Sequence, residues 1–204
     1  MLTRIAHRGP DDTGETHRGD VWLGHQRLSI MDPRGGHQPL VGPDGVSCLV
    51  TNGEIYNHRQ LREELGLERF TTGSDSEAAL HALLVDGPAG LTRLRGMFTL
   101  AYLDETGSLL VARDALGVKP LYWARREDCI LFANELRAFG LADRPLVESF
   151  PWDAAGRRRA AWSASPTPFR REYDLPGAPG RPGSGTRCCS SRSARRSSAP
   201  SRTG

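Results

Sequence analysis

A chain of 204 residues with 38% hydrophobic residues and a formal net charge of +3 has room for one domain and an appendage, not for several domains. No apolar run approaches the ~18 residues of a membrane-spanning helix, and no basic stretch followed by an apolar one reads as a secretory signal. The four cysteines, Cys48, Cys129, Cys188 and Cys189, show no Cys-x-x-Cys spacing; an adjacent Cys-Cys pair is not a disulfide framework, and a cytoplasmic, reducing environment is the expectation.

Strand and helix signals alternate along the first part of the chain. Val21, Leu23, Leu28 and Ile30, set among polar residues, predict a strand over 21–30. The run Val46-Ser47-Cys48-Leu49-Val50 predicts a buried strand that delivers the chain to a turn at Asn52-Gly53. Asn57, with Gln60 three residues on, reads as a helix N-cap, placing Leu61 and Leu65 on one face. Ser74 and Glu77 have capping-box spacing and open a helix carrying Leu80, Leu83 and Leu84 that stops at Gly87-Pro88. Residues 97–103 and 109–112, joined by Asp104-Glu105-Thr106-Gly107, read as a hairpin. Residues 129–133 read as another strand before a short helix at 135–139. Sequential strands and hairpins with intervening helices predict antiparallel sheets covered by helices, an α+β fold. Cys48 and Cys129 lie in apolar strands and read as small core residues. His25, His58 and His81 lack metal-ligand spacing, so no metal site is expected and a solvated or hydrogen-bonded role is assigned to each.

The composition changes near residue 148. Residues 1–147 hold sixteen basic and twenty acidic side chains, a net of −4, whereas 148–204 hold eleven arginines and four acids, a net of +7. The second segment mixes arginine with Ser, Ala, Pro and Gly, lacks apolar periodicity, and cannot bury enough surface to offset its conformational entropy. A division into a domain over 1–147 and a disordered or out-of-frame tail over 148–204 follows. Three readings of the tail remain: an arm for an anionic partner, an inert appendage, or an out-of-frame translation of GC-rich DNA, which fits the composition best. Nucleic acid is therefore not expected as a partner.

Several motifs recur in a fixed order: His7-Arg8-Gly9-Pro10-Asp11, Arg27-Leu28-Ser29-Ile30, Asn52-Gly53-Glu54-Ile55-Tyr56-Asn57, Ser74-Asp75-Ser76-Glu77, Gly96-Met97-Phe98, and Arg113 to Tyr122. Each alone is weak. Together, over residues 4–139, they resemble the class II (N-terminal nucleophile) glutamine amidotransferase domain, and the spelling of the Asn52–Asn57 string resembles the glutamine-hydrolysing asparagine synthetase branch. The resemblance implies a four-layer αββα sandwich. It also implies glutamine as substrate, attacked at its side-chain amide by an N-terminal cysteine thiolate whose own α-amine handles the proton.

Residue roles carry over with the motifs. Asn52, by its side-chain amide, and Gly53, by its backbone N–H, match the oxyanion hole. An Asn-Gly pair by itself would read as a plain hairpin turn. Arg27 matches the partner of the glutamine α-carboxylate, which a guanidinium binds as a planar fork. Leu28, Ser29, Ile30 and Met31 would supply backbone and wall contacts. Glu54 and Asp75 match the acids that receive the α-ammonium, although an acid at position 75 would also complement a helix dipole. The His7–Asp11 loop is expected to line the site, and Arg113, Asp114, Lys119 and Pro120 to form a scaffold loop.

Family members begin Met-Cys-Gly and run a strand and a helix before the element that here starts at His7. The expectation is therefore a truncated chain without its nucleophile, incomplete at its N-terminal strand and inactive as a glutaminase. Two functions stand. One is a fragment of a glutamine-dependent asparagine synthase, which moves the amide nitrogen to aspartate with ATP. The other is a non-catalytic module that binds glutamine or a partner. No cofactor is expected in this chain, since ATP and Mg belong to the synthetase domain that follows in the family. The family also suggests a homodimer, and no membrane partner is expected.

Overall fold

The structure, a computed structural model, describes residues 1–150 together with the backbone of 161–164 and 170–171. Its centre is a sheet in the order β11-β10-β6-β5-β4-β3, where β3 is Leu40–Val41, β4 Cys48–Ile55, β5 Gly96–Leu103, β6 Leu109–Arg113, β10 Ala161–Ala164 and β11 Arg170–Arg171. β4 and β5 run antiparallel from Cys48 opposite Leu103 to Ile55 opposite Gly96. The β5–β6 hairpin forms as read, turning where Asp104 Oδ1 caps the amides of Thr106 and Ser108.

Alternation along these strands divides their side chains between two faces. Leu49 and Ile55, Phe98, Leu100 and Tyr102, and Leu110 and Ala112 are buried on one face. They pack against α1 (His58–Leu65) and α2 (Asp75–Asp86). Nine consecutive residues of α2, Asp75 through Leu83, are buried, so this helix is enclosed rather than amphipathic. It ends as predicted at Gly87, whose φ of 57° suits a residue without Cβ. A 3₁₀ segment, Gly87–Arg93, then folds back under it.

The opposite face of the central sheet meets two smaller sheets. One pairs β1 (Asp12–Arg18) with β2 (Val21–Arg27). The other has the order β8-β7-β9, with β7 Tyr122–Arg125, β8 Ile130–Ala133 and β9 Val147–Ser149. Trp123 and Phe132 pack inward with Val111, Leu121 and Phe150. Ala124 faces outward, against Phe139, Ala138 and Ile5. Two 3₁₀ segments, Leu2–Arg8 and Leu136–Ala138, therefore take the outer position of the fourth layer. The helix, sheet, sheet, helix order is the αββα sandwich of an α+β fold.

Several local expectations are corrected. Asn52 and Gly53 are not a turn: they lie inside β4, opposite Thr99 and Phe98. The strand predicted over 21–30 ends at Arg27. Asn57 occupies the N-cap of α1 without a capping bond; its side chain instead bridges Arg93 O and Arg95 N. Only half of the capping box forms, with Ser74 Oγ accepting from Ser76 N while Glu77 turns to Thr71 and Thr72. Cys129 is exposed, unlike Cys48. Val147, where the domain was read to end, opens β9, and Phe150 is fully buried with its amide bonded to Leu121 O at 2.8 Å. β10 pairs with β6 and β11 with β10, while Cys188, Cys189 and the rest of the tail lie outside the described residues.

Candidate functional site

Arg27 is the last residue of β2, and the His7–Asp11 motif fixes it there. Gly9 lies so close that a Cβ would come 2.3 Å from Arg27 N, and Pro10 bridges to Arg27. Asp11 N donates to Arg27 O at 3.1 Å, and Asp11 Oδ2 accepts from Ser29 N at 2.8 Å. The motif thus supports the Arg27 loop from beneath. The guanidinium, on a residue only 7% exposed, folds back over that loop. Nη2 donates to Met31 O at 2.8 Å and Asp32 O at 2.7 Å, and Nη1 reaches Pro33 O at 3.4 Å. Gly36 makes room, since a Cβ there would meet Nη2 at 2.3 Å. Part of Arg27's fork therefore organises its own loop. Leu28 and Ile30 stand out on that loop, 55% and 73% exposed, so the predicted wall is open to solvent.

Gly53 has φ 146° and sits where a Cβ would be 2.0 Å from Met97 O. Only glycine allows β4 and β5 to approach here. Asn52 lies on the face away from the helices. Among the described residues its amide has no hydrogen-bond partner, and it lines a cavity of about 710 Å³ between the Leu2–Arg8 segment, β2, β8 and the central sheet. Arg27, Gly53, Glu54 and Asp75 do not line that cavity. Glu54 is exposed.

Asp75 is the first residue of α2 and 6% exposed. Its Oδ2 accepts from Ile55 N at 2.7 Å, which ties the helix start to the end of the Asn52–Ile55 strand. Two residues that the motifs did not single out brace the same region. Gln38 Oε1 accepts from Thr51 N at 2.7 Å, and its Nε2 reaches Thr51 O and Ser76 Oγ. Glu77 accepts from the amides and hydroxyls of both Thr71 and Thr72, and these donors hold its carboxyl below its ordinary range although burial opposes them. Arg62 donates to Ser74 O at 2.6 Å and lies over the Phe70 ring. Glu77 was legible only as a capping acid. Gln38 carried no signal beyond standing before a proline.

His25 and His81 are hydrogen-bonded, to the backbone of Thr51 and Arg69, and all three histidines are partly desolvated. Burial holds the His25 imidazole down to about 4, and its Nδ1 is buried without a partner, as is His58 Nδ1. His81 packs edge-on against Phe70, and burial lowers its pKa as well. Arg113 and Asp114 form the expected scaffold, with Asp114 accepting from Leu116, Val118 and Lys119. No group of three His, Cys, Asp or Glu that could hold a metal occurs among the described residues. No helix among them is long and apolar enough to cross a membrane.

The described residues supply a buried cation, Arg27, two acids, Glu54 and Asp75, and on β4 an unpartnered amide beside a glycine. These are the group types that a zwitterionic amino acid with a side-chain carbonyl would call for. Residues 1–149 match the family model described as glutamine amidotransferase domain. The asparagine synthetase (glutamine-hydrolyzing) of Sandersonia aurantiaca is 39% identical over 179 residues, covering 86% of this chain and 33% of the relative. Asparagine synthetase (glutamine-hydrolyzing) 2 of Arabidopsis thaliana is 43% identical over 154 residues, covering 74% and 26%. The chain thus spans a third or less of the length of these curated relatives. Among solved structures, the glutamine phosphoribosylpyrophosphate amidotransferase of B. subtilis, complexed with ADP and GMP, superposes with TM-score 0.64 at 21% identity, covering 84% of this chain and 44% of that one. The likeness at that identity is one of fold.

Proposed function

The chain belongs to the glutamine amidotransferase domain family, and from that premise we propose that it binds L-glutamine and serves as the glutaminase part of a glutamine-hydrolysing asparagine synthetase. Arg27 takes the α-carboxylate through the guanidinium donors its own loop leaves over. Asp75 and Glu54 take the α-ammonium, Asp75 through Oδ1, since Oδ2 is engaged by Ile55. The side-chain carbonyl then points to Asn52 and Gly53. A thiolate attacking that carbon drives negative charge onto the oxygen, where the Asn52 amide and Gly53 N–H stabilise it. ATP and Mg belong with the synthetase part, where the released nitrogen would join aspartate. The tail beyond the packed unit takes no part in glutamine binding.

The observation that supports this reading is the bond from Ile55 N to Asp75 Oδ2, a buried carboxylate held against the end of the strand that carries Asn52 and Gly53. Titration calorimetry tests it: L-glutamine should bind, and glutarate, which has neither α-amine nor amide, should not. Equal heats from the two ligands would sink the assignment.

A second reading, binding without hydrolysis, is favoured by the state of the described thiols. Cys48 is wholly buried and burial raises its pKa, while Cys129 is exposed and its thiol is also pushed up. Neither is an activated nucleophile. Glutamate release measured beside the calorimetry separates the two readings.

A further inference from the structure

We propose that Asp32 is a positioning residue for glutamine recognition, latching the loop that holds Arg27 to the loop that opens α2 and so setting the separation of Arg27 and Asp75. The inference rests on the glutamine reading above. Asp32 is the one non-glycine residue with positive φ, 44°, among the described residues, a conformation an L residue adopts at a cost unless its surroundings hold it. Its side chain provides that hold. Oδ1 accepts from Gly35 N at 3.0 Å, a local turn bond. Oδ2 accepts from Gly73 N at 2.7 Å, 41 residues away, which a local turn does not need. Its backbone carbonyl accepts from Arg27 Nη2 at 2.7 Å and from Gly36 N at 3.0 Å. One residue therefore touches Arg27 through its main chain and the approach to Asp75 through its carboxylate.

The neighbouring residues fit that task. At Gly35 a Cβ would stand 2.3 Å from Asp32 Oδ2, so glycine opens the space the carboxylate fills. Loop 71–74 is fixed to the helices by Glu77 and Arg62. Among the described residues, the Gly73–Asp32 bond is the one hydrogen bond joining it to loop 28–33. The amides of Gly73 and Gly35 hold the Asp32 carboxyl below its ordinary range, as expected of charge-assisted bonds. Without the latch, each loop keeps its own internal bonds but their spacing is no longer set, and a ligand held at both ends is sensitive to such spacing.

The test compares the wild-type chain with Asp32→Asn, which keeps the size of the side chain but removes its charge and one acceptor. L-glutamine affinity is read by calorimetry, Gly73 amide exchange by NMR, and folding by thermal melting. Thr106→Ala, which removes hydroxyl bonds to Asp104 and Ser108 within the β5–β6 turn, controls for general destabilisation and should bind as wild type. The expected result is faster Gly73 exchange, an affinity about tenfold weaker and an intact melting transition. Wild-type chain that fails to bind L-glutamine overturns the glutamine reading and the latch with it. Wild-type binding with unchanged affinity in Asp32→Asn overturns the latch alone, as does unchanged Gly73 exchange or an equal loss in Thr106→Ala.

Discussion

Ile55 donates its backbone N–H to Asp75 Oδ2 at 2.7 Å, joining the last residue of β4 to the first residue of α2. The bond is made by a carboxylate that is itself buried, so it is both a structural tie and a constraint on any ligand that uses the remaining oxygen. The two functions separate by mutation. Asp75→Asn retains an acceptor for Ile55 and should cost no more than about 1 kcal/mol of stability, yet lower L-glutamine affinity at least tenfold by removing the charge that meets the ammonium. Asp75→Ala strands the Ile55 amide and should cost about 2 kcal/mol besides. Denaturant melts and calorimetry on both variants check the split; equal affinities for wild type and Asp75→Asn would remove Asp75 from the site.

Gly53→Ala should destabilise the fold by at least about 2 kcal/mol, because the new methyl needs both a strained φ and space already held by Met97 O. Gly107, with φ 83° and nothing within 4 Å, isolates the first of these effects: Gly107→Ala should cost about 1 kcal/mol. Similar losses in the two variants would mean that the β4–β5 approach is looser than the structure gives.

Much of this layout was readable in the sequence, and the failures share a cause. Strands with one apolar face, such as β5 with Phe98, Leu100 and Tyr102, show their period directly. β1 does not: Asp12-Thr-Gly-Glu-Thr-His-Arg has no apolar alternation, because it is a partly exposed hairpin partner, buried only at Gly14 and held by its pairing with β2. The Asn52-Gly53 pair carries a strong local turn signal, overridden by eight paired positions along β4 and β5. The braces Asp32, Gln38 and Glu77 act across 13 to 41 residues or on loop amides, and such partners leave no local pattern. The proposed site residues rest on their motif strings alone, since no local period marks them.

Glu77→Ala should cost about 2 kcal/mol, since it removes a buried carboxylate that accepts from four donors on the partly exposed Thr71 and Thr72. The damage should concentrate in loop 71–74, so amide exchange there should accelerate more than in β5. Uniform acceleration across both would indicate a global effect instead.

Stability should fall as pH drops from about 6.5 to about 4. His25 has a folded pKa of about 4 against an ordinary 6.5. In that window the unfolded chain takes up a proton that the buried ring refuses, so stability rises with pH and is complete above 6.5. Burial is the main cause, with Arg27 adding to it and the hydrogen bond to the Thr51 backbone opposing it. Carboxylates held low, such as Asp32 and Glu77, add their losses below that range. His25→Gln should flatten the slope between pH 4 and 6.5 in equilibrium denaturation; a slope identical to wild type would show that the ring is reached by solvent.

The last prediction concerns Asn52, whose amide faces the cavity without a partner while Arg27 and Asp75 are anchored elsewhere. Glutamine hydrolysis is the readout, in this chain or in a longer protein that contains it. Asn52→Ala should then lower turnover by about 10²–10³-fold, the loss that follows removal of one oxyanion donor. Its effect on the Michaelis constant should be small, because the carbonyl of bound glutamine carries little of the charge that the transition state develops. Arg27→Ala should behave in the opposite way, raising the Michaelis constant with less change in turnover, since it contacts the α-carboxylate in ground and transition states alike. Steady-state kinetics on the two variants places each residue. An Asn52→Ala enzyme with normal turnover and a raised Michaelis constant would make Asn52 a binding residue, and the oxyanion would then need another donor from the face of β4.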